Sequence, residues 1–302
     1  MSVEKEWSIA VPEAFQFQEN LHYLANANHE CMYQVMKNEV IKAIKIDDAV
    51  FLIVLREATS GGLLVKVVKS SCAFSEAYRD KITTFVSEWF DVNTNLAGFY
   101  KIALKDPYLK RLVQTHYGLR LIGIPNFFEA ISWAIIGQQI NLSFAYKLKR
   151  RIVERYGTSV QWNERLFWLF PTPEVIANIS VSELTSLQLS KRKSEYFIDM
   201  ARAIVCNEIS KEKLLATNSL EEAEKMLTAY RGIGSWTAHY VLMRCLRVPN
   251  AFPIADVGLQ NAIKQVVGLK QKPTKEYVRE IGTNWANWQA YATFYLWRSL
   301  YQ

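Results

Sequence analysis

The chain has few of the residues that build cross-linked or metal-dependent proteins. Its 4 cysteines, Cys31, Cys72, Cys206 and Cys245, include no CxxC pair, which argues against a disulfide framework and against zinc or iron–sulfur ligand sets. Isolated reduced thiols in partly buried positions are expected instead. No apolar run approaches the roughly 20 residues of a membrane helix. Glu4, Lys5 and Glu6 interrupt any signal-peptide core near the N-terminus. Internal repeats, low-complexity tracts and heptad arrays are also missing. A cytoplasmic protein with no membrane partner and no cofactor is expected, and a monomer.

What is present is an ordinary globular composition, with 50% hydrophobic and 22% charged residues in 302, long enough for two or three compact units. The net charge of +7 is unevenly placed. Residues 1–110 hold 12 lysines and arginines against 14 acids, and residues 111–302 hold 24 against 15. The whole basic excess therefore sits in the last two-thirds, which suits a polyanionic partner.

The first hundred residues contain short β-branched runs at 31–35, 40–46, 49–56 and 63–68, separated by the turn signals Lys37-Asn38, Asp47-Asp48 and Ser60-Gly61-Gly62. This predicts a small antiparallel sheet, with helices at 20–28 and 75–89. From Asp106-Pro107 onward the texture is helical. Residues 126–140 read as a buried helix and 143–155 as a basic amphipathic one. Pro171-Thr172-Pro173, Ser180-Val181-Ser182 and Thr217-Asn218-Ser219 signal helix starts. An all-α body is expected.

One local pattern carries chemistry. Arg231-Gly232-Ile233-Gly234 reads as a tight turn between two helices. Its glycines allow positive φ and expose backbone N–H groups suited to phosphate oxygens. Thr237 and Ala238 are small enough for close helix packing. Residues 248–255 hold two prolines and read as an extended connector, and Asp256 precedes a helix-like run. Alone, Asp256 reads as a helix N-cap. A capping carboxylate is rigidly held, so a chemical role is compatible with that position.

The run 230–238, with Ala251-Phe252-Pro253 and Asp256, resembles the helix-hairpin-helix–Gly/Pro–Asp superfamily of DNA glycosylases, and within it the AlkA type, 3-methyladenine DNA glycosylase II. Asp106-Pro107-Tyr108-Leu109, Gly118-Leu119-Arg120, 134–140, 288–292 and Tyr295-Leu296-Trp297 fit as well, so the likeness covers roughly 106–302. The first hundred residues match that type in general character.

The resemblance implies an α+β N-terminal domain (1–104) followed by an all-α helix-hairpin-helix glycosylase body of two helical subdomains, 105–125 with 248–302 and 126–247. It implies that Asp256 assists departure of a base flipped out of duplex DNA. Trp236, Tyr240 and Trp297 become the base pocket, where aromatic rings attract cationic alkylpurines. Trp285, Trp288 and Tyr291 read as core. Arg231, Gly232, Ile233, Gly234 and Thr237 become DNA-binding residues, with Gln139 as the wedge. A monovalent cation at the Gly232 and Gly234 backbone is implied by family precedent. Superfamily members that also cut the backbone carry lysine where this chain has Trp236, so a monofunctional enzyme is expected. Of the basic runs, Lys191-Arg192-Lys193 is the phosphate candidate and 147–151 is read as structural. Two rivals stay open: a non-catalytic DNA-binding module, and a glycosylase for deaminated or oxidised bases.

Overall fold

The computed structural model describes residues 2–27, 29–59 and 61–301. Asn28 and Ser60, within the expected first helix and third turn, lie outside the described residues. The N-terminal sheet has five antiparallel strands, β1 (Ser2–Ile9), β2 (Gln34–Met36), β3 (Glu39–Ile46), β4 (Ala49–Glu57) and β5 (Leu63–Ser70), in the order β1-β5-β4-β3-β2. Lys37 and Asp47 take positive φ at two of the three expected turns, and Gly61 and Gly62 do so at the third. The edge strand β1 is an addition to the sequence reading. Glu4, Lys5 and Glu6 mask a pattern in which Trp7 and Ile9 point inward.

Helix α1 (Phe17–Ala25) precedes β2, and α2 (Glu76–Trp89), capped by Ser75, follows β5. The body adds α3 (Ala97–Ala103), α4 (Lys110–Thr115), α5 (Phe127–Gly137), α6 (Leu142–Tyr156), α7 (Pro173–Ala177), α8 (Val181–Ser186), α9 (Lys191–Val205) and α10 (Lys211–Leu215). It ends with α11 (Leu220–Thr228), α12 (Ser235–Arg244), α13 (Val257–Val267), α14 (Lys275–Gly282) and α15 (Gln289–Arg298). Ser180 closes a capping box with Glu183, and Ser219 caps α11, so these loop signals act as helix starts.

The all-α expectation needs one correction. Strands β6 (Thr158–Trp162) and β7 (Arg165–Leu169) form a hairpin within the body. Asn163 and Glu164 both take positive φ in its turn, a conformation that Asn-Glu signals poorly because it lacks glycine. This hairpin has a packing role. Val40, Ile44, Ile53, Leu55, Val65 and Val67 face the main core, while Ile41, Ala43, Leu52, Val54 and Val68 face Phe167 and Leu169 of β7. Covering both faces explains why β3 and β4 are apolar almost throughout rather than alternating.

Helix α1 and the segment after α2 are tied to the body by buried polar contacts. Asn20 donates to the Gln16 and Gly118 carbonyls and accepts from the Arg120 N–H, while the fully buried Arg120 guanidinium donates to the carbonyls of Asp91, Val92 and Thr94. Asp106 accepts from the N–H groups of Tyr108 and Leu109 and from the Trp285 indole. Trp285 and Tyr291 are core residues as expected. All four cysteines are free, and burial pushes the Cys31 and Cys245 thiols up to about 12; Cys206 is exposed rather than partly buried.

Candidate active site

Asp256 stands where the connector ends and α13 begins. Its backbone is extended, and its carboxylate Oδ1 accepts from the Leu259 N–H at 2.7 Å, so the N-cap reading holds. The connector is fixed on both sides. The Phe252 N–H donates to His239 Nδ1 on α12, and Gln260 Nε2 donates to the Ile254 carbonyl. The Phe252 ring lies so close to Gly282 that a Cβ there would be 2.3 Å from it.

The two tryptophans assigned to the pocket reach the same carboxylate. Trp297 Nε1 donates to Oδ1 at 2.8 Å, and Trp236 Nε1 donates to Oδ2 at 2.9 Å. Gly258 makes room for this meeting, since a Cβ there would lie 3.0 Å from Asp256 Oδ1 and 3.3 Å from Trp297 Nε1. Tyr240 sits between the two indoles, with ring centroids 5.9 Å from Trp236 and 6.0 Å from Trp297. Arg244, one turn further along α12, donates to the Tyr240 hydroxyl and the Ile122 carbonyl and stacks on the Tyr240 and Phe294 rings.

These groups line a cavity of about 1190 Å³. Its lip includes Gln139, Arg192, Gly232 and Gly234, and its interior reaches Tyr33, Lys42, Glu129 and Lys149. The hairpin and the wedge turn meet at the lip. Gln138 Nε2 donates to the Gly232 carbonyl and to the Thr237 hydroxyl, and Lys193 Nζ donates to the carbonyls of Ile136 and Gln138. Gln139 is exposed with φ 55°, so the turn holds its side chain out from α5. Gly232 has φ 87°, and a Cβ there would lie 2.1 Å from the Tyr196 ring, so only glycine fits. Gly234 caps α12 without a side chain, leaving that helix's N-terminus open to an external acceptor.

Four sequence assignments change in character. The Ile233 and Thr237 side chains are buried, so neither is available to a ligand, and Thr237 serves instead as an anchor for Gln138. Lys193 is spent on two carbonyls rather than aimed outward. Arg231 is exposed but paired with Glu195 at 2.7 Å. The Gly232 carbonyl accepts from Gln138 and the Gly234 carbonyl from the Ala238 N–H, which leaves each oxygen a second lone pair.

The cavity interior was not foreseen. Lys149, 1% exposed, donates to both Glu30 oxygens and to Glu129, each at 3.0 Å. Burial opposes its charge, yet the two carboxylates hold its ammonium above the ordinary lysine range. A sequence signal existed: Lys149 falls at helical spacing from Ala145, Ile152 and Val153 on the buried face of α6.

The arrangement offers a fixed negative charge on an aromatic wall. Three N–H donors on two oxygens disperse and orient the Asp256 carboxylate. That suits stabilising a cation formed beside it more than abstracting a proton.

The chain is similar to known proteins along its whole length. Residues 132–287 match the HhH-GPD superfamily of base excision DNA repair proteins, and residues 6–131 match the 8-oxoguanine DNA glycosylase N-terminal domain. A DNA-3-methyladenine glycosylase of Bacillus subtilis is 45% identical over 97% of this chain and 96% of its own length. DNA-3-methyladenine glycosylase 2 of Escherichia coli is 28% identical over 63% of each. The structure of 3-methyladenine DNA-glycosylase from Archaeoglobus fulgidus superposes with a TM-score of 0.83 at 28% identity, over 97% of both chains.

Proposed function

The chain belongs to the HhH-GPD superfamily of base excision DNA repair proteins, and we propose that it is a monofunctional glycosylase hydrolysing the N-glycosidic bond of alkylated purines, such as 3-methyladenine and 7-methylguanine, in duplex DNA. The observation that carries this reading is the Asp256 carboxylate held by the Trp236 and Trp297 indoles at the cavity wall. A module that only grips the DNA backbone has no use for such a carboxylate.

The chemistry follows from charge. As the bond from C1′ to the base breaks, the deoxyribose becomes cationic, and a pre-set carboxylate lowers the energy of that state without reorganising. Water then adds its oxygen to C1′, and a proton passes to solvent. The alkylated purine needs little help to leave because it already carries positive charge. Tyr240, between the two indoles, supplies the electron-rich face for that cation.

The DNA-facing lip supports the rest. The open N-terminus of α12 and the Gly232–Gly234 backbone suit a phosphate, and the exposed Gln139 suits the gap left by a flipped nucleotide. Trp236 occupies the position where a lyase's lysine is expected. Two of the lysines that line the cavity are otherwise engaged, Lys193 on carbonyls and Lys149 on carboxylates, and Lys42 lies on the N-terminal sheet, away from the Asp256 carboxylate's own helix. An abasic site is therefore the product.

The test is incubation with methylated duplex DNA and chromatography of the released bases. Free 3-methyladenine and 7-methylguanine are expected, and no free purine would return the protein to the role of a DNA-binding module. One observation favours a second reading, release of oxidised purines: the match of residues 6–131 to the 8-oxoguanine glycosylase N-terminal domain. The same chromatography on oxidised DNA decides it. Borohydride trapping checks the monofunctional assignment, since a covalent adduct would contradict it.

A further inference from the structure

The cavity of about 1190 Å³ is lined by the DNA-facing lip, with Gln139, Arg192 and Gly232, and also by residues with no part in the proposed base pocket, Glu30, Lys42, Glu129 and Lys149. Besides the aromatic rings, the lining includes the buried charges Lys42, Glu129 and Lys149. Five basic side chains, Lys42, Lys149, Arg192, Lys193 and Arg244, line it with three carboxylates, Glu30, Glu129 and Asp256, so the lining carries more positive than negative groups.

The excess is concentrated at Lys42. Strand period two places it between Val40 and Ile44 on the inward face of β3, where it is 6% exposed. Among the described residues its ammonium makes one hydrogen bond, to the Met32 carbonyl at 3.1 Å, and no ion pair within 4.0 Å. It rests over the Trp89 ring at 5.3 Å. Glu30 and Glu129 are nearby but are committed to Lys149, and Glu30 also accepts from the Cys31 and Met32 N–H groups. Burial pushes the Lys42 ammonium below the ordinary lysine value, the cost of a buried cation with N–H groups to spare, and an arriving anionic acceptor would relieve it.

Building on the glycosylase reading, we infer that the interior admits purines whose N-alkyl group is longer than methyl and ends in a carboxylate, with carboxymethylpurines as the substrate class and Lys42 as the residue that meets the adduct. The base stacks at Tyr240 and Asp256 as a methylpurine does, and the adduct extends inward. Its carboxylate supplies a negative charge and pairs with Lys42. The bond broken is the same glycosidic bond, with water adding to C1′ and the carboxymethylpurine leaving intact.

The experiment offers the full-length protein duplex DNA carboxymethylated with diazoacetate and, separately, duplex DNA methylated with dimethyl sulfate, and quantifies released purines by chromatography. Wild type is expected to release carboxymethylpurines at rates within about tenfold of the methylpurines. Lys42→Met is expected to lower the ratio of carboxymethyl to methyl release by about tenfold or more, the loss of one charge-assisted contact. Lys42→Arg, which keeps the cation, is expected to restore much of the ratio and guards against a misfolded Met variant. Release of methylpurines alone by wild type overturns the inference and leaves the glycosylase reading standing. An unchanged ratio in Lys42→Met likewise overturns it. Release of neither class overturns both readings.

Discussion

Trp297 Nε1 donates a 2.8 Å hydrogen bond to Asp256 Oδ1 across 41 residues of sequence, and Trp236 completes the clamp on the other oxygen. Hydrogen bonds to charged groups contribute about 1.5–3 kcal/mol. Trp297→Phe keeps an aromatic wall and removes the donor. Its single-turnover rate of base release is expected to fall about 10–100-fold. KM should move little, because stacking survives. A variant that raised KM and spared kcat would assign Trp297 to base binding alone. Trp236→Phe is expected to behave in the same way.

Asp256 itself separates stability from chemistry. Asparagine caps helices about as well as aspartate, so Asp256→Asn should keep α13, at a cost of about 1–3 kcal/mol because its amide NH2 meets an indole donor. Without the negative charge, base release is expected to fall at least about 10²–10³-fold. Binding to an abasic-site analogue, measured by fluorescence anisotropy, should persist. Full activity in this variant would falsify the catalytic assignment.

The contrast between these residues and the cavity interior shows where sequence reading works. Asp256, Gly232, Gly234 and Trp236 lie within one short stretch, and their local turn chemistry announces them. Lys42, Glu30, Glu129 and Lys149 come from β3, the segment before β2, α5 and α6, and each charged residue by itself resembles a solvated face. Only the phase of the surrounding apolar residues gives Lys42 and Lys149 away. Thr237 was legible as a packing residue but not as Gln138's partner, a contact spanning 99 residues. The hairpin of β6 and β7 escaped because its turn lacks glycine.

Arg192 and Lys193 are neighbours with different expected effects. Arg192 is exposed on the cavity lip, whereas Lys193 is partly buried against the Ile136 and Gln138 carbonyls. Arg192→Ala should weaken binding to all duplexes alike and lower the salt dependence of binding by about one phosphate contact. Lys193→Ala should leave the salt slope unchanged, lower stability by about 1–3 kcal/mol and loosen the Gln139 turn. Binding titrations at several salt concentrations, with urea unfolding, distinguish the two. Equal salt slopes for both variants would count against the assignment.

The buried Lys149 cluster predicts a pH dependence with a definite sign. Burial alone would raise the Glu129 carboxyl, but Lys149, with Lys42 behind it, outweighs burial and holds it below the ordinary glutamate value of 4.5. A carboxyl depressed in the folded state stabilises the fold above its unfolded value, and that stabilisation is lost as pH falls through the folded value. Wild-type stability should therefore drop, as pH falls below the ordinary glutamate value of 4.5, more steeply than that of Glu129→Gln. Lys149→Met is the harsher change, because it strands Glu30 and Glu129 without their cation. It should cost about 3–5 kcal/mol near neutral pH. That deficit should shrink in acid, where the stranded carboxylates become neutral. Urea unfolding across this range measures all three curves, and a Lys149→Met variant within about 1 kcal/mol of wild type at neutral pH would mean that water already screens the cluster.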